Sequence, residues 1–412
     1  MQPCSIHHSS CLWKAIALKR IVILGSTGSV GKQTLDVIKS QPDDFAVLGL
    51  AAGENAELLA QQVSVFKPKF ACLHSGVAGC EDMFSSTLLE GSDGLVELAA
   101  HPSADLVVVA IPGIASLEPT LAAIQASKTV ALASKEALFV AGELIMQQAR
   151  TYGVSIIPVD SEPSAIWQCL LGEIATRGEG SQWIHDVLAG APVNRIILTA
   201  SGGPFRDLGY DQLKQVTPDM ALNHPTWRMG MRPTIDSATM LNKGMEVVET
   251  HWLFGVDWSK IEAVIHPQSI VHSLVEFIDG SVKAQLSQPD MRLFIQYALN
   301  CMNRTQGIVE RLNLCKIASL TFEPIDFKKY TCFSLAIEAA KAGGTYAAVV
   351  NAADEELIRL FVQERIRFDH IPRLIGKVLD MHNRQDIATL RDVEAADEWS
   401  RNKIGELTGA IA

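Results

Sequence analysis

The chain has 412 residues, of which 48% are hydrophobic and 20% charged, and its formal net charge is −11. That length points to two or three domains, and so much apolar material excludes global disorder. The acidic balance, with no Lys/Arg-rich run, argues against nucleic acid or an anionic membrane as the main partner, and no apolar run is long enough to span a membrane.

An anionic substrate would therefore need a local cationic pocket. The cysteines (Cys4, Cys11, Cys72, Cys80, Cys169, Cys301, Cys315 and Cys332) form no C-x-x-C pair. This speaks against structural zinc and for a reduced, cytoplasmic setting. Residues 1–19 carry no acidic residue, a His7-His8 pair and no clear apolar core. They read as an upstream start or a disordered arm rather than a secretory signal or a plastid transit peptide.

Arg20–Leu24 reads as a strand running into Gly25-Ser-Thr-Gly28-Ser-Val-Gly31 and a helix over Lys32–Ser40. Strand, glycine turn and helix are the context of a dinucleotide site, because glycines let the backbone approach a pyrophosphate and the helix N-terminus favours its charge. The spacing is G-x-x-G-x-x-G, and a Walker A loop fits poorly. The rhythm continues with strands at Ala46–Ala52, Phe70–Leu73, Asp105–Ile111 and Thr129–Ala133, and helices at Asn55–Phe66, Leu117–Ser127 and Glu136–Arg150. Alternation of this kind predicts a parallel, doubly wound sheet with ligands beyond the carboxyl ends of its strands, where Lys135 falls. The tip of the second strand, Leu50-Ala51-Ala52-Gly53, bears no acid before Glu54, a weak sign of a phosphorylated ribose.

Val154–Val159 reads as the next strand and leads into Asp160-Ser161-Glu162-Pro163. Residues two apart on a strand face one side, so Asp160 and Glu162 can aim two carboxylates at one point. Such a pair either holds a hard divalent cation or shares a proton, while Ser161 before Glu162-Pro163 also fits an ordinary helix N-cap. Residues 172–194 then read as a surface connection.

Arg195–Thr199 is a strand ending at Ser201-Gly-Gly-Pro-Phe205. His224-Pro-Thr-Trp227 lies in a turn-rich stretch of about 202–233 that reads as a mobile lid. Asp236–Phe254 reads as one helix, with Asn242, Lys243 and Glu246 on one face, which is either solvated or turned to a ligand beneath the lid. Ile261–His266, Val271–Phe277 and Val282–Leu286 are strands, the last two joined by a hairpin at Asp279-Gly280. An exposed strand here can mediate dimer formation. Asp290–Cys301 is helical, 302–331 is a linker, and helices at Cys332–Ala342, Tyr346–Gln363, Asp369–Asp380 and Asp392–Glu406 suggest a supporting bundle.

These motifs together resemble the 1-deoxy-D-xylulose 5-phosphate reductoisomerase family. The resemblance runs from about Arg20 to the C-terminus. It rests on Leu24–Gly31, Ala133-Ser-Lys-Glu136, Pro158-Val-Asp-Ser-Glu162, Ser201–Phe205, His224–Trp227, Asp236-Ser-Ala-Thr239, Asn242-Lys-Gly244 with Glu246, and His266–Ser273. It implies an α/β protein with an N-terminal Rossmann-like doubly wound sheet for NADPH (20–160), a central α+β catalytic domain (161–301) and a C-terminal helical bundle (332–412). It implies a homodimer that reduces and isomerises 1-deoxy-D-xylulose 5-phosphate to 2-C-methyl-D-erythritol 4-phosphate for isoprenoid synthesis, with Mg²⁺ or Mn²⁺, or Co²⁺ as a further option.

By the same resemblance Asp160, Glu162 and Glu246 hold the metal, and Ser161 and Lys243 hold the substrate's hydroxyls or carbonyl. Ser201, Ser237, Asn242 and Lys243 grip its phosphate, His224 closes over it, and Trp227 covers it. Gly25, Thr27, Gly28, Ser29, Val30, Gly53, Asn55, Ser134, Lys135 and Glu136 contact the cofactor, and Lys135 joins the catalytic set. Two positions depart from the family pattern: Ser134 stands where Asn is common, and Glu54 where a basic residue often supports the 2′-phosphate. The competing readings are another Rossmann-type NAD(P) oxidoreductase, which needs neither three carboxylates in two domains nor a tryptophan lid, and a non-catalytic dinucleotide-binding homologue.

Overall fold

The structure is a computed structural model that describes residues 18–76, 79, 81–173 and 191–409. The expectations for the first 17 residues, for Cys80 and for 174–190 lie outside the described residues. The N-terminal half is built from strands β1 (Lys19–Leu24), β2 (Phe45–Ala52), β3 (Phe70–Leu73), β4 (Thr87–Glu90), β5 (Leu106–Val109), β6 (Thr129–Leu132) and β7 (Ile156–Pro158). Helices α1 (Ser29–Ser40), α2 (Ala56–Phe66), α3 (Gly91–Ala99), α4 (Leu117–Gln125), α5 (Lys135–Tyr152) and α6 (Ser161–Leu170) alternate with them. All seven strands are parallel, in the order β4-β3-β2-β1-β5-β6-β7. The strand order reverses at β1, which pairs with β2 on one side and β5 on the other, so the ligand crevice of a doubly wound sheet lies at its carboxyl end.

The continuous apolar runs of β1 and β5 follow from helices covering both faces. Val22, Leu24, Val107 and Val109 face one core, and Ile21, Ile23, Leu106 and Val108 face the other. The first core runs on into the second half of the molecule, so the halves are welded by apolar packing rather than merely tethered.

The second half carries β8 (Val193–Ala200), α7 (Pro218–Leu222), α8 (Met231–Thr239), α9 (Leu241–Phe254), β9 (Ile261–Ile265), β10 (Val271–Phe277), β11 (Val282–Leu286), α10 (Met291–Leu299), α11 (Leu314–Ile317) and β12 (Glu323–Pro324). Its sheet is mixed, in the order β11-β10-β8-β9-β12, with β8 and β9 parallel and the other pairs antiparallel. Helix α10 returns to the first sheet: Ile295, Ala298 and Leu299 complete its second core. Helices α12 (Thr331–Ala342), α13 (Tyr346–Val362), α14 (His370–Met381) and α15 (Leu390–Gly409) form the C-terminal bundle. Gly244 lets α12 approach α9, since a Cβ there would sit 2.7 Å from Ala336 Cβ.

Four expectations change. Strand β4 and helix α3 were not anticipated: the strand is only four residues long, and Gly91 and Gly94 weaken the helical pattern. Asp236–Phe254 is two helices, broken at Met240, which takes a left-handed φ of 63°. The lid stretch includes α7 and a 3₁₀ turn at Tyr210–Gln215, and the 302–331 connection includes α11 and an edge strand, β12. Strand β7 ends at Pro158, so Asp160 and Glu162 are not two apart on a strand.

Candidate active site

The strand-to-helix turn after β7 does the work expected of strand alternation. Asp160, not Ser161, is the N-cap of α6; its Oδ1 accepts from the Ser161 amide at 3.0 Å. Glu162 follows in the first turn, where the helix dipole favours a carboxylate. Glu246, on α9, meets both: carboxylate oxygens of Asp160, Glu162 and Glu246 lie within 4.8 Å of one another. Oxygens on opposite sides of a Mg²⁺ ion at about 2.1 Å stand about 4.2 Å apart, so small side-chain adjustments suit the trio to a hard divalent cation.

Two ammonium groups balance the trio. Lys135 Nζ lies 2.5 Å from Asp160 Oδ2 and 2.7 Å from Glu246 Oε1. Lys243 Nζ lies 2.7 Å from Glu162 Oε1 and also pairs with Glu246 Oε2. Burial works against the charge of Lys135, yet Asp160 and Glu246 prevail and raise its pKa well above the usual lysine range. Burial, reinforced by Glu162, pushes Glu246 up to about 7 against the pull of Lys135 and Lys243. Three carboxylates and two ammoniums leave a formal charge of −1 in a site where Glu246 is 2% and Lys243 5% exposed. A divalent cation would offset that negative charge and carry the site to +1; a solvated helix face would not look like this.

A second polar cluster forms at the end of β8. Ser201 Oγ lies 3.0 Å from His224 Nε2, and Ser237 Oγ 3.1 Å from the same nitrogen. Gly203 makes this possible: its φ is +69°, and a Cβ there would sit 2.4 Å from the Ser237 carbonyl oxygen. The His224 tautomer follows from its partners. Nδ1 accepts from the amides of Thr226 (3.1 Å) and Trp227 (2.8 Å), so Nε2 carries the proton and donates to the hydroxyls. Burial, with Arg206 nearby, lowers the His224 pKa to about 4, and the ring is neutral at physiological pH. The result is three convergent donors, suited to a phosphate. Asn242 and Lys243, expected beside them, turn instead to Glu246 and the carboxylates. Ser161 likewise donates to Glu162. Trp227 sets its indole edge-to-face on His272, with centroids 6.1 Å apart.

The glycine turn stands at the reversal point of the first sheet. Gly25 has φ +91°, and a Cβ there would sit 2.3 Å from the Ala110 carbonyl oxygen at the end of β5. Gly28 caps α1 without a side-chain bond, leaving the first amides of that helix for a ligand. Thr27 sits within this turn. Gly53 and Asn55 lie exposed at the tip of β2, where Asn55 Oδ1 already accepts from the Leu58 amide at 3.0 Å to cap α2. Ser134 is buried and donates to the Ile111 carbonyl at 2.5 Å, tying the ends of β5 and β6 together.

One cleft of about 780 Å³ joins these parts. Gly28, Ser29 and Val30 line one end, Ser134, Lys135 and Glu136 follow, and Asp160, Ser161, Glu162, Asn242, Lys243 and Glu246 line its middle. Ser201, Ser237 and Trp227 close the far end. Arg232 and Asp290–Arg292 also line it and were not singled out from the sequence, and Asp236, which opens the Asp236–Thr239 motif, had been given no role.

Family models cover the chain in three pieces: 1-deoxy-D-xylulose 5-phosphate reductoisomerase over residues 21–142, its C-terminal domain over 156–254, and the DXP reductoisomerase C-terminal domain over 286–403. The 1-deoxy-D-xylulose 5-phosphate reductoisomerase of Pelotomaculum thermopropionicum is 49% identical over 395 residues, covering 93% of this chain and 97% of that protein. The chain belongs to the 1-deoxy-D-xylulose 5-phosphate reductoisomerase family. The reductoisomerase of Synechocystis sp. is 47% identical over 406 residues, covering 96% of this chain and 99% of its own. Among solved structures, the Zymomonas mobilis reductoisomerase in complex with NADPH matches with a TM-score of 0.85 and 37% identity, over 95% of this chain and 99% of that one. A reductoisomerase in complex with NADPH, fosmidomycin and magnesium matches with a TM-score of 0.88 and 33% identity, over 96% and 99%.

Proposed function

We infer that this chain is an NADPH- and divalent-metal-dependent reductoisomerase. It converts 1-deoxy-D-xylulose 5-phosphate to 2-C-methyl-D-erythritol 4-phosphate in isoprenoid biosynthesis. The observation that carries the reading is one cleft holding a dinucleotide turn, an all-oxygen carboxylate trio and a neutral three-donor anion site, in a chain of this family.

Asp160, Glu162 and Glu246 are the ligands of the metal, which supplies Lewis-acid polarisation of the substrate carbonyl while NADPH supplies the hydride. Ser201, Ser237 and the Nε2–H of His224 bind the substrate phosphate. Lys243 and Asn242, bonded to Glu162 and Glu246, line the same cleft and face the substrate beside the carboxylates. Gly28, Ser29 and Val30 direct the N-terminus of α1 at the cofactor pyrophosphate. Lys135 and Glu136 open α5 beside the nicotinamide, and Lys135 pairs with the Asp160 and Glu246 carboxylates. Trp227 covers the bound substrate and excludes water from the reacting carbons. The first domain (20–160) thus holds cofactor, the second (161–301) holds substrate, and the helices of 332–412 support α9.

Among the described residues strand β11 leaves one edge of the second sheet unpaired, with Val282 49% and Ile278 74% exposed nearby, and we assign the homodimer contact to it. A cytoplasmic location accords with the described cysteines, which are all free. Among the described residues no helix is long and apolar enough to cross a membrane.

The test is direct. Purified protein should consume NADPH only when 1-deoxy-D-xylulose 5-phosphate and Mg²⁺ or Mn²⁺ are both present. No consumption under those conditions overturns the reading.

A further inference from the structure

A second buried charge cluster lies beside the cleft, and neither the metal trio nor the phosphate donors use it. Its centre is Arg232, in the first turn of α8, whose side chain is 11% exposed. The guanidinium meets groups from three parts of the molecule. From α13 in the C-terminal bundle, Asn351 Oδ1 accepts from Nη2 at 2.7 Å, Asp354 Oδ2 lies 3.3 Å from both Nε and Nη2, and Glu355 pairs with Nη1. From α5 in the cofactor domain, Glu136 Oε1 lies 3.8 Å from Nη1. From α8 itself, Asp236 Oδ2 lies 3.5 Å from Nε. Arg401, on α15, holds the other oxygen of Glu355 at 2.5 Å.

This arrangement does not suit a phosphate ligand. The guanidinium is already spent on four carboxylates, and a second anion would face repulsion from all of them. It is also costly to bury, and such clusters are kept where they fix one arrangement of elements over others. Asp236 and Asp354, 3% and 0% exposed, show the strain of the excess negative charge. Burial raises both carboxyls, Asp354 to about 6. Ser237, the phosphate donor, is the next residue after Asp236.

We propose that Arg232 is a positioning residue: by locking α8 to the C-terminal bundle and to Glu136, it fixes Ser237 where the substrate phosphate binds. The proposal rests on the reading of Ser201, His224 and Ser237 as the phosphate site. It gives the bundle a task beyond support, because Asn351, Asp354 and Glu355 set the position of a binding residue they do not touch.

The experiment compares Arg232→Met, Arg232→Lys and Asp354→Asn with the wild-type chain in three readouts. The first is steady-state kinetics with 1-deoxy-D-xylulose 5-phosphate. Arg232→Met should raise KM for it by about tenfold or more, with kcat changed less, and Arg232→Lys should recover part of the loss. The second is NADPH binding to the enzyme without substrate, expected within about twofold of wild type. The third is amide hydrogen exchange, which should speed up over 231–239 and not across the first sheet. Should Arg232→Met fail to fold, Asp354→Asn, which keeps the shape and removes one anchor, must show the same pattern more weakly.

An unchanged KM, or a loss of kcat, KM and NADPH binding together with general loss of exchange protection, overturns the proposal. If wild type shows no turnover, the functional reading fails instead. Localised exchange over 231–239 then still decides whether Arg232 orders α8.

Discussion

Replacing Glu246 with Gln tests the metal site most sharply. The side chain is 2% exposed; Oε1 accepts from Lys135 at 2.7 Å and from Asn242, and Oε2 from Lys243. Gln keeps the shape and one acceptor oxygen. Lys135 retains Asp160 at 2.5 Å and Lys243 retains Glu162 at 2.7 Å, so neither ammonium is left alone. The lost charge-assisted bonds cost roughly 1.5–3 kcal/mol, partly offset because a buried carboxylate no longer needs desolvating, so the net loss of stability is about 1–2 kcal/mol. Metal binding suffers more. Two unit charges about 4 Å apart at an effective dielectric near 20 interact by about 4 kcal/mol, and a doubly charged cation by about twice that, so losing the carboxylate charge weakens its binding by about a thousandfold or more. The assay is Mn²⁺ titration followed by electron paramagnetic resonance, with NADPH binding measured in parallel. Turnover should collapse, Mn²⁺ affinity should fall by about three orders of magnitude or more, and NADPH affinity should hold. Mn²⁺ affinity within about threefold of wild type would remove Glu246 from the metal site and refute the electrostatic reasoning.

Other outcomes follow from the same geometry. Gly25→Ala places a methyl 2.3 Å from the Ala110 carbonyl oxygen at φ +91°, so NADPH affinity and Tm should both drop; an unaltered dissociation constant would sink the role of this turn. Asn55→Ala removes the cap of α2 and should cost about 1 kcal/mol in chemical denaturation. Any loss of NADPH affinity beyond that would place its amide on the cofactor. Burial lowers His224 and His272 to about 4, whereas unfolded imidazoles titrate near 6.5. The unfolded chain therefore binds protons that the folded one refuses, so stability is full above about 6.5 and is lost as pH falls towards 4. His272→Gln should flatten the fall of Tm through that window, and an identical fall would show that other groups govern it.

Much of the site was legible because its residues cluster in short motifs. Gly25 to Gly31, with its flanking strand and helix, reads as a dinucleotide turn, and the turn does stand where the strand order reverses. The pairing of Asp160 with Glu162 was found, but on the wrong geometry: the strand stops at Pro158, and a capped helix start brings the carboxylates together. The break at Met240 left no mark, since the left-handed residue is not glycine and the apolar pattern runs through it. Arg232 could not be found at all. Its partners Asn351, Asp354 and Glu355 lie 119, 122 and 123 residues away, and only folding shows that one cation faces so many carboxylates. The opposite orientations of Asn242 and Ser237 were hidden for a related reason, as both depend on the angle between two helices.

That angle sets a length. Met240 separates Ser237, on the phosphate side, from Asn242, Lys243 and Glu246, on the carboxylate side, and holds a left-handed turn that an L-residue adopts at a cost of about 1–2 kcal/mol. Helix α8 is pinned by Arg232 and α9 is pressed against α12, so the separation of the two ends is fixed by backbone rather than by flexible side chains. If Ser237 binds the phosphate and the carboxylates hold the metal, as proposed, a sugar phosphate one carbon shorter should bind less well, because the two sets of groups stand on separate helices joined at a fixed break.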